Sequence, residues 1–332
     1  MRSKSGFTLV ELLVAIVIGL LITATLGSIL VNILSSDSSQ TARSEVEQDV
    51  QSTVSFIMSD LSQASYVYDG NCMQGQGSAS SSNSTNFCPG LVNHIPSLGT
   101  GITPVLAMWI LEPVPYYGTT TQIPTSCSGL GALQQDCSSL QSSRRAYSLI
   151  VYYLDTTTNS QFGGLARLRR YVLRKYTTLT SSSMSITTGY VDPFPNDSKI
   201  ALFRRWPYDG ADSATNQQSS LPSNNLSLAP VVADYIDANW TGVAATPIAC
   251  RTNPDYIRTP LTSSANSFYA CVLNKSDSTT GTQSPGKNTS TFVYLRGNTQ
   301  GKSGFTISTG TQVRPVVTAI VLSKGVSDND PY

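Results

Sequence analysis

The chain has 332 residues, with 21 Lys and Arg, 20 Asp and Glu and one His, so its formal net charge at pH 7 is +1. This near-neutral balance gives no prediction of nucleic acid or of an acidic partner. Charged residues make up only 12% of the chain, which suits an extracytoplasmic surface protein better than a cytosolic enzyme.

The N-terminal 34 residues combine a short basic start with a long apolar run. Two cations precede Gly6, and residues 7–31 are long and apolar enough to span a bilayer as a helix, with the basic end in the cytoplasm. The one ionisable side chain in this run is that of Glu11, and an acid in a bilayer is costly unless it has a partner. Cleavage between Gly6 and Phe7 would expose an α-amino group about one helical turn from Glu11. The amine and the carboxylate could then neutralise each other within one chain or between neighbouring chains.

The stretch from Lys4 to Ala15, KSGFTLVELLVA, resembles the class III signal of type IV prepilins and type II secretion pseudopilins. The resemblance implies that a prepilin peptidase cleaves after Gly6 and N-methylates Phe7. It also implies that Glu11 matches the register of each subunit with the previous one. A secretory signal peptide has a shorter apolar core with a cleavage site after it, and a plain membrane anchor gives no reason for Glu11.

The apolar residues after the membrane run recur at steps of three and four, and residues 35–64 contain neither Pro nor Gly. This spacing predicts one helical stripe, formed by Val46, Val50, Val54, Ile57, Leu61 and Ala64. One helix is therefore expected from about residue 7 to residue 64, about 85 Å long. A coiled coil is the alternative, but the absence of sustained heptads favours packing on a head domain.

The rest of the chain predicts a β-rich head, because short β-branched and aromatic runs alternate with clusters of Gly, Pro, Asn and Ser. Strands are expected over residues 105–111, 147–154, 168–176, 200–206, 268–273, 291–295 and 313–322. The predicted fold class is α+β, a long N-terminal helix packed on an antiparallel sheet with long loops. The expected division is a leader over 1–6, a transmembrane and filament-core helix over 7–34, an amphipathic helix over 35–66, and an extracytoplasmic head over 67–332.

Six cysteines lie outside the apolar run, which in an oxidising compartment predicts up to three disulfides. They are Cys72, Cys88, Cys127, Cys137, Cys250 and Cys271. Many connectivities are open, and the order along the chain suggests local pairs, 72 with 88, 127 with 137 and 250 with 271. With one histidine and no C-x-x-C motif, the sequence predicts no metal site.

Basic residues cluster around the predicted strand over residues 168–176, interleaved with Tyr171 and Tyr176. The arginines are Arg167, Arg169, Arg170 and Arg174, followed by Lys175. Cations beside stacking rings can hold single-stranded nucleic acid or an acidic polysaccharide. The alternative, which we favour, is a solvent-exposed strand kept soluble by charge.

Catalytic signatures are missing from the sequence. His94 is the one histidine, no nucleophile stands beside it, and neither G-x-S-x-G nor a phosphate-binding loop occurs. We therefore expect no enzymatic activity and no cofactor, with His94 either solvated or packed.

Two segments resemble a more specific group within this family. Residues 45–68, EVEQDVQSTVSFIMSDLSQASYVY, resemble the helix end of J-type minor pseudopilins and of their pilus counterparts, the PilW-like minor pilins. Residues 292–298, FVYLRGN, resemble a strand and turn of the same group. The resemblance implies a minor pilin that primes or caps pilus assembly. The alternatives are a J-like minor pseudopilin of a type II or polysaccharide secretion system, and a tip adhesin or DNA-uptake pilin.

The resemblance also implies partners and a location. The partners are the prepilin peptidase, other major and minor pilins that pack on the N-terminal helix, an inner-membrane assembly platform, and a candidate surface, DNA or polysaccharide ligand at the head. The precursor is expected to cross the inner membrane once, with its head in the periplasm. It would then enter an extracellular pilus or a periplasmic pseudopilus.

Overall fold

The computed structural model confirms an α+β fold, in which a long N-terminal helix is followed by antiparallel sheets. It describes residues 8–76, 87–158, 161–193, 203–208, 215–223, 226–238, 249–251, 256–261, 266–273, 290–302 and 314–323. The α-helices of these residues are α1 (Leu9–Gln63), α2 (Gly70–Gln74) and α3 (Gln134–Ser143). The strands are β1 (Ala64–Val67), β2 (Ile102–Pro113), β3 (Arg145–Asp155), β4 (Ala166–Arg174), β5 (Tyr176–Leu179), β6 (Met184–Ile186), β7 (Val231–Ile236), β8 (Tyr256–Thr259), β9 (Phe268–Leu273), β10 (Ser290–Arg296) and β11 (Val316–Leu322).

Helix α1 spans 55 residues, which at about 1.5 Å per residue makes it about 82 Å long. The apolar stripe expected from the sequence is buried throughout: Val46, Val50, Val54, Ile57, Leu61 and Ala64. The helix ends at Gln63 rather than at residue 66, because Ala64 already has extended dihedral angles and opens β1. The long helix and its amphipathic second half are thus confirmed, with a boundary three residues earlier.

Two antiparallel sheets form the head. The larger sheet has the strand order β1-β2-β3-β4-β7, and the smaller sheet has the order β11-β10-β9-β8. A two-stranded ribbon, β5-β6, stands beside them. A bridge between Ile236, at the end of β7, and Gly297, just after β10, joins the two sheets at one corner.

The larger sheet is buried on both faces. On one face, Met108 and Ile150 share a core with the α1 stripe and with side chains of β9, β10 and β11. On the other face, Trp109 and Tyr153 pack on connecting segments that contribute residues such as Trp206. Helix α1 and the smaller sheet therefore cover one face of the larger sheet, and the connections cover the other.

The six cysteines form three disulfides, and these are the local pairs that the chain order suggests. The Cα atoms lie 5.0 Å apart in Cys72–Cys88, 5.6 Å apart in Cys127–Cys137 and 5.6 Å apart in Cys250–Cys271. The three bridges tie α2, α3 and β9 to the segments beside them.

The strand predicted over residues 200–206 is wrong in its described part, because residues 203–207 form turns. Phe203 and Trp206 carried the aromatic signal, and both are buried against Trp109 as turn residues. Aromatic enrichment therefore marked burial here and not an extended conformation.

Several other strands differ from the sequence prediction in their limits or are not foreseen. The strand predicted over 168–176 ends at Arg174 as β4, and the strand predicted over 313–322 begins at Val316 as β11. The short strands β1, β5, β6, β7 and β8 and the polar helix α3 are not predicted at all.

Candidate functional site

The N-terminal half of α1 stands free of the head. Every described residue from Thr8 to Asp37 is exposed, and the first buried residue of the helix is Ala42. The large apolar side chains from Leu9 to Leu34 are between 48% and 80% exposed. Among the described helices, α1 is the one long and apolar enough to cross a membrane. An apolar surface of this extent has to be covered by lipid or by other helices.

Glu11 closes a capping box at the start of α1. The backbone N–H and the hydroxyl of Thr8 each donate to Oε2 of Glu11 at 2.9 Å. The backbone N–H of Glu11 donates to Oγ1 of Thr8 at 3.4 Å. A capping box satisfies two of the free donors at a helix start, so the carboxylate has partners even in a single chain. Gly6 and Phe7, the predicted processing residues, lie outside the described residues.

Asp60 joins the second half of α1 to the larger sheet. Its Oδ2 accepts a hydrogen bond from the Tyr152 hydroxyl of β3 at 2.6 Å and one from Nε of Arg170 on β4 at 2.8 Å. The guanidinium group of Arg170 also lies 5.6 Å from the ring centroid of Phe56. Burial, together with the charge of Asp60, raises the pKa of Tyr152, so its hydroxyl stays protonated and remains a donor.

A second junction lies nearer the point where α1 enters the head. Nζ of Lys302 is 2.7 Å from Oε2 of Glu45. The backbone of Gly297 approaches the helix so closely that a Cβ atom there would lie 2.6 Å from Cγ1 of Val46 and 2.8 Å from Cγ2 of Val50. Helix α1 is therefore fixed to the head at two levels, about three to four turns apart.

Two of the arginines from the predicted basic strand are inside the head. Nε of Arg169 is 2.7 Å from Oδ2 of Asp155, and Nη1 of Arg167 is 3.8 Å from the same oxygen. Although burial alone would raise the pKa of Asp155, hydrogen bonds from Thr157 and Arg169 and the charge of Arg167 lower it below its usual value. The prediction of a solvent-exposed basic strand is therefore wrong for these two residues.

The remaining cations of that strand also have carboxylate partners. Nε of Arg174 is 3.3 Å from Oε2 of Glu112. Nζ of Lys175 lies 2.9 Å from Oδ1 of Asp136 and 2.6 Å from Oδ2 of Asp192. Burial alone would lower the pKa of Lys175, but these two carboxylates raise it above its usual value. The cluster is a set of ion pairs that hold β4 to its neighbours, rather than an open cationic surface.

His94 is packed in the head. Its Nδ1 is 3.0 Å from Oε1 of Gln218, and burial lowers its pKa. The ring contacts Trp206 and Tyr208 edge-on. In the part of the chain that the structure describes, no three His, Cys, Asp or Glu side chains come together in a way that could hold a metal ion.

Two features of the site can be recognised in the sequence, although hydrophobic periodicity and charge clustering do not reveal them. Thr8-x-x-Glu11 has the spacing of a capping box. Asp60 lies three residues after Ile57 and four before Ala64, which places an acid within the apolar stripe of a helix. An acid at such a position requires a buried partner.

The comparison with protein families identifies the N-terminal segment. Residues 1–27 match the family model of the prokaryotic N-terminal methylation motif. No curated protein and no solved structure matches the chain. The segment is a class III prepilin signal, as found in type IV pilin-like proteins, and it supports a pilin or pseudopilin, a structural rather than catalytic family. Such a signal implies processing by prepilin peptidase and assembly with other pilins, and together with the apolar helix it fits membrane anchoring of the precursor.

Proposed function

We propose that this type IV pilin-like chain is a minor pilin of the PilW-like group, a structural subunit that primes or caps pilus assembly. The observation that supports the proposal best is the division of α1. Its first half carries the prepilin signal and is exposed and apolar, whereas its second half is fixed into a large head.

The proposed pathway begins with a precursor in the inner membrane, its head in the periplasm. Prepilin peptidase cleaves after Gly6 and methylates the new terminus at Phe7, and the assembly platform then extracts the subunit. Residues 7–34 leave lipid and pack against the equivalent helices of neighbours. Glu11 exchanges its contacts with Thr8 for the N-terminal amine of a neighbour, so the acid is not left without a partner in an apolar environment.

The size of the head supports a priming or tip position. Two sheets, three disulfides and long connections surround the end of α1. A head of this bulk would interfere with regular stacking along a shaft. Immunogold label concentrated at filament ends is the expected result, and label spread evenly along filaments would contradict the tip position.

The runner-up function is a J-like minor pseudopilin of a type II or polysaccharide secretion system, which would use the same helix. The two functions differ in the machine that the subunit joins, so the identity of the subunits recovered with it separates them. A tip adhesin or DNA-uptake pilin would need a ligand surface, and the arginines considered for it engage carboxylates of the head itself.

The test uses three variants of helix α1. Glu11→Ala removes both the charge and the cap, whereas Glu11→Gln keeps the hydrogen-bonding pattern of a capping box and removes only the charge. Glu47→Ala, an exposed acid on the second half of the helix, is the matched control. We expect all three to be processed and the control to enter filaments normally.

Both Glu11 variants should be missing from sheared filaments, because neither can pair with the amine. Mass spectrometry should show that the mature chain begins at a methylated Phe7. Normal incorporation of Glu11→Ala, or a mature chain that still begins at Met1, would overturn the proposal. If Glu11→Ala is missing from filaments but Glu11→Gln is present, Glu11 acts through the helix cap and not through its charge.

A further inference from the structure

Strand β4 has an unpaired stretch of edge beyond the end of β7. The pairing between the two strands ends at Arg169, and the N–H of Arg170 donates on the same side to the carbonyl oxygen of Pro230 at 3.1 Å. Backbone groups point to the same side of a strand at every second residue, so those of Val172 and Arg174 face this side as well. No described residue bonds to them there.

The groove beside this edge is open and has apolar walls. Its volume is about 760 Å³, which is in the range of protein binding pockets. It is lined by Phe56 from α1, by Leu228 and Pro230 from the segment before β7, and by Val172 from β4. The side chains of Phe56 and Leu228 are 45% and 81% exposed. A molecule in the groove would therefore gain apolar contacts on both walls.

The charges on this stretch do not keep another strand away. Natural sheet edges are often protected by charged side chains, bulges or cover. Here the guanidinium group of Arg170 is bound to Asp60, and that of Arg174 to Glu112, so both charges are matched within the head. The open volume shows that no described segment covers the edge. Strand β4 therefore keeps both the room and the backbone groups for one more strand.

The backbone groups of Val172 indicate which kind of molecule fits the groove. An occupant displaces water from these groups, and a buried polar group without a partner is costly. A lipid chain or another apolar molecule offers no partner, whereas an extended peptide offers one at every second residue. Helix α1 also rises about 15 Å from Ala42, its first buried residue, to Ser52 at the groove. In a membrane-anchored chain the groove would therefore lie away from lipid.

We propose that this groove binds an extended, mainly apolar peptide segment of another protein, which adds to the larger sheet beside β4 and in line with β7. The segment forms main-chain hydrogen bonds with Val172 and Arg174, and its alternate side chains pack on Phe56 and Leu228. The groove is separate from the prepilin signal and from the exposed half of α1. The inference therefore goes beyond the proposed function and does not depend on it.

The test selects peptides on the full-length chain, which is purified in detergent and immobilised. A phage library of random octapeptides is panned on it, and the enriched sequences are synthesised with a fluorescent label for binding measurements by anisotropy. Each peptide is also made with N-methyl groups at alternate residues, in both registers, which removes N–H donors and keeps the side chains. The groove variants are Phe56→Ala and Leu228→Asp. Leu322→Asp, at another exposed apolar position, is the matched control.

We expect the enriched peptides to carry apolar residues at alternate positions. Their binding should weaken at least about tenfold with either groove variant and should not change with Leu322→Asp. It should weaken as much with N-methyl groups in one of the two registers, because that register faces β4. Tryptophan fluorescence confirms that each variant is folded. If Phe56→Ala does not fold, Leu228→Asp still decides the result, because its side chain lies in solvent.

Three results would overturn the proposal. The first is a library with no enriched peptide, which is also the result expected if a segment of this chain itself fills the groove. The second is binding that N-methylation in both registers leaves unchanged, because the peptides would then adhere without pairing to a strand. The third is equal weakening by Leu322→Asp, which would place the peptides elsewhere. None of these results bears on processing or filament entry, which test the proposed function separately.

Discussion

The junction between α1 and the head depends on Asp60, and replacing it with Ala provides a sharp test. The change leaves the Tyr152 hydroxyl and the Arg170 guanidinium group without their acceptor. Neither group can be rehydrated fully, because Tyr152 is 0% exposed and the side chain of Arg170 is 19% exposed.

The expected loss of stability follows from these contacts. Removing one partner of a buried ion pair costs about 3–5 kcal/mol. Arg170 keeps some solvent contact and its stacking on Phe56, so we discount the loss to about 2–4 kcal/mol. A domain of this size loses about 2–4 °C in unfolding temperature for each kcal/mol. Asp60→Ala should therefore lower the unfolding temperature of the head by roughly 5–15 °C.

The assay is thermal unfolding of the detergent-solubilised full-length chain. Tryptophan fluorescence reports on the head, because Trp109 and Trp206 are buried there. Asp49→Ala, an exposed acid on the same helix, is the matched control and should shift the transition by less than about 2 °C. Combining Asp60→Ala with Arg170→Met should restore part of the loss, because no unpaired buried charge remains.

The reasoning fails if Asp60→Ala unfolds at the same temperature as Asp49→Ala. It also fails if the double variant unfolds at a lower temperature than Asp60→Ala alone. In either case the helix would be held by its apolar stripe and not by the Asp60 contacts.

Three further predictions concern the head. Gly297→Ala should destabilise the head by about 1–3 kcal/mol through overpacking against Val46 and Val50. The control Gly99→Ala, whose new Cβ would have no neighbour closer than 3.8 Å, should be as stable as the unchanged protein. Equal unfolding temperatures of the two variants would refute the close approach of Gly297 to the helix. Burial lowers the pKa of His94 in the folded state, so the free energy of unfolding should fall as the pH drops below about 6.5. Urea titrations at pH 7.5 and pH 5 measure this fall, and it should be smaller in His94→Gln than in the unchanged protein. If His94→Gln loses as much free energy of unfolding between pH 7.5 and pH 5 as the unchanged protein does, this prediction is wrong. Replacing Cys127 and Cys137 with Ser opens a loop of ten residues and should cost about 2–3 kcal/mol, measured as a lower urea midpoint; no shift would mean that α3 is held by its other contacts.

The parts of the fold that sequence predicts well are those that repeat locally. The stripe from Val46 to Leu61 recurs every three or four residues, so burial of one helix face follows from periodicity alone. The end of α1 does not follow, because Ala64 has no Gly or Pro beside it to stop the helix, and pairing with β2 decides its extended conformation. The strand β7, VVADYI, carries an acid, Asp234, in its second half, and it pairs with β4 about 65 residues earlier in the chain.

The ion pairs of the half-buried Arg170 and Arg174 were beyond the reach of a local prediction for a similar reason. Arg170 pairs with Asp60, 110 residues earlier in the chain. Arg174 pairs with Glu112, 62 residues earlier. Within the strand itself, such residues have the pattern of a solvated face. The carboxylates reach them only because α1 packs on the larger sheet and because β2 is separated from β4 by β3 alone.

The free length of α1 determines how far the head stands from lipid. From Leu9 to Ala42, the first buried residue, the helix rises about 50 Å, whereas a bilayer with its headgroups is about 40–45 Å thick. In the proposed membrane-anchored precursor, an upright helix would therefore hold the head about 5–10 Å clear of the headgroups, on a short polar segment formed by residues 35–41. If the subunit is extracted into a filament as proposed, only the exposed half of α1 would have to exchange lipid for neighbouring helices, while the head would stay hydrated throughout.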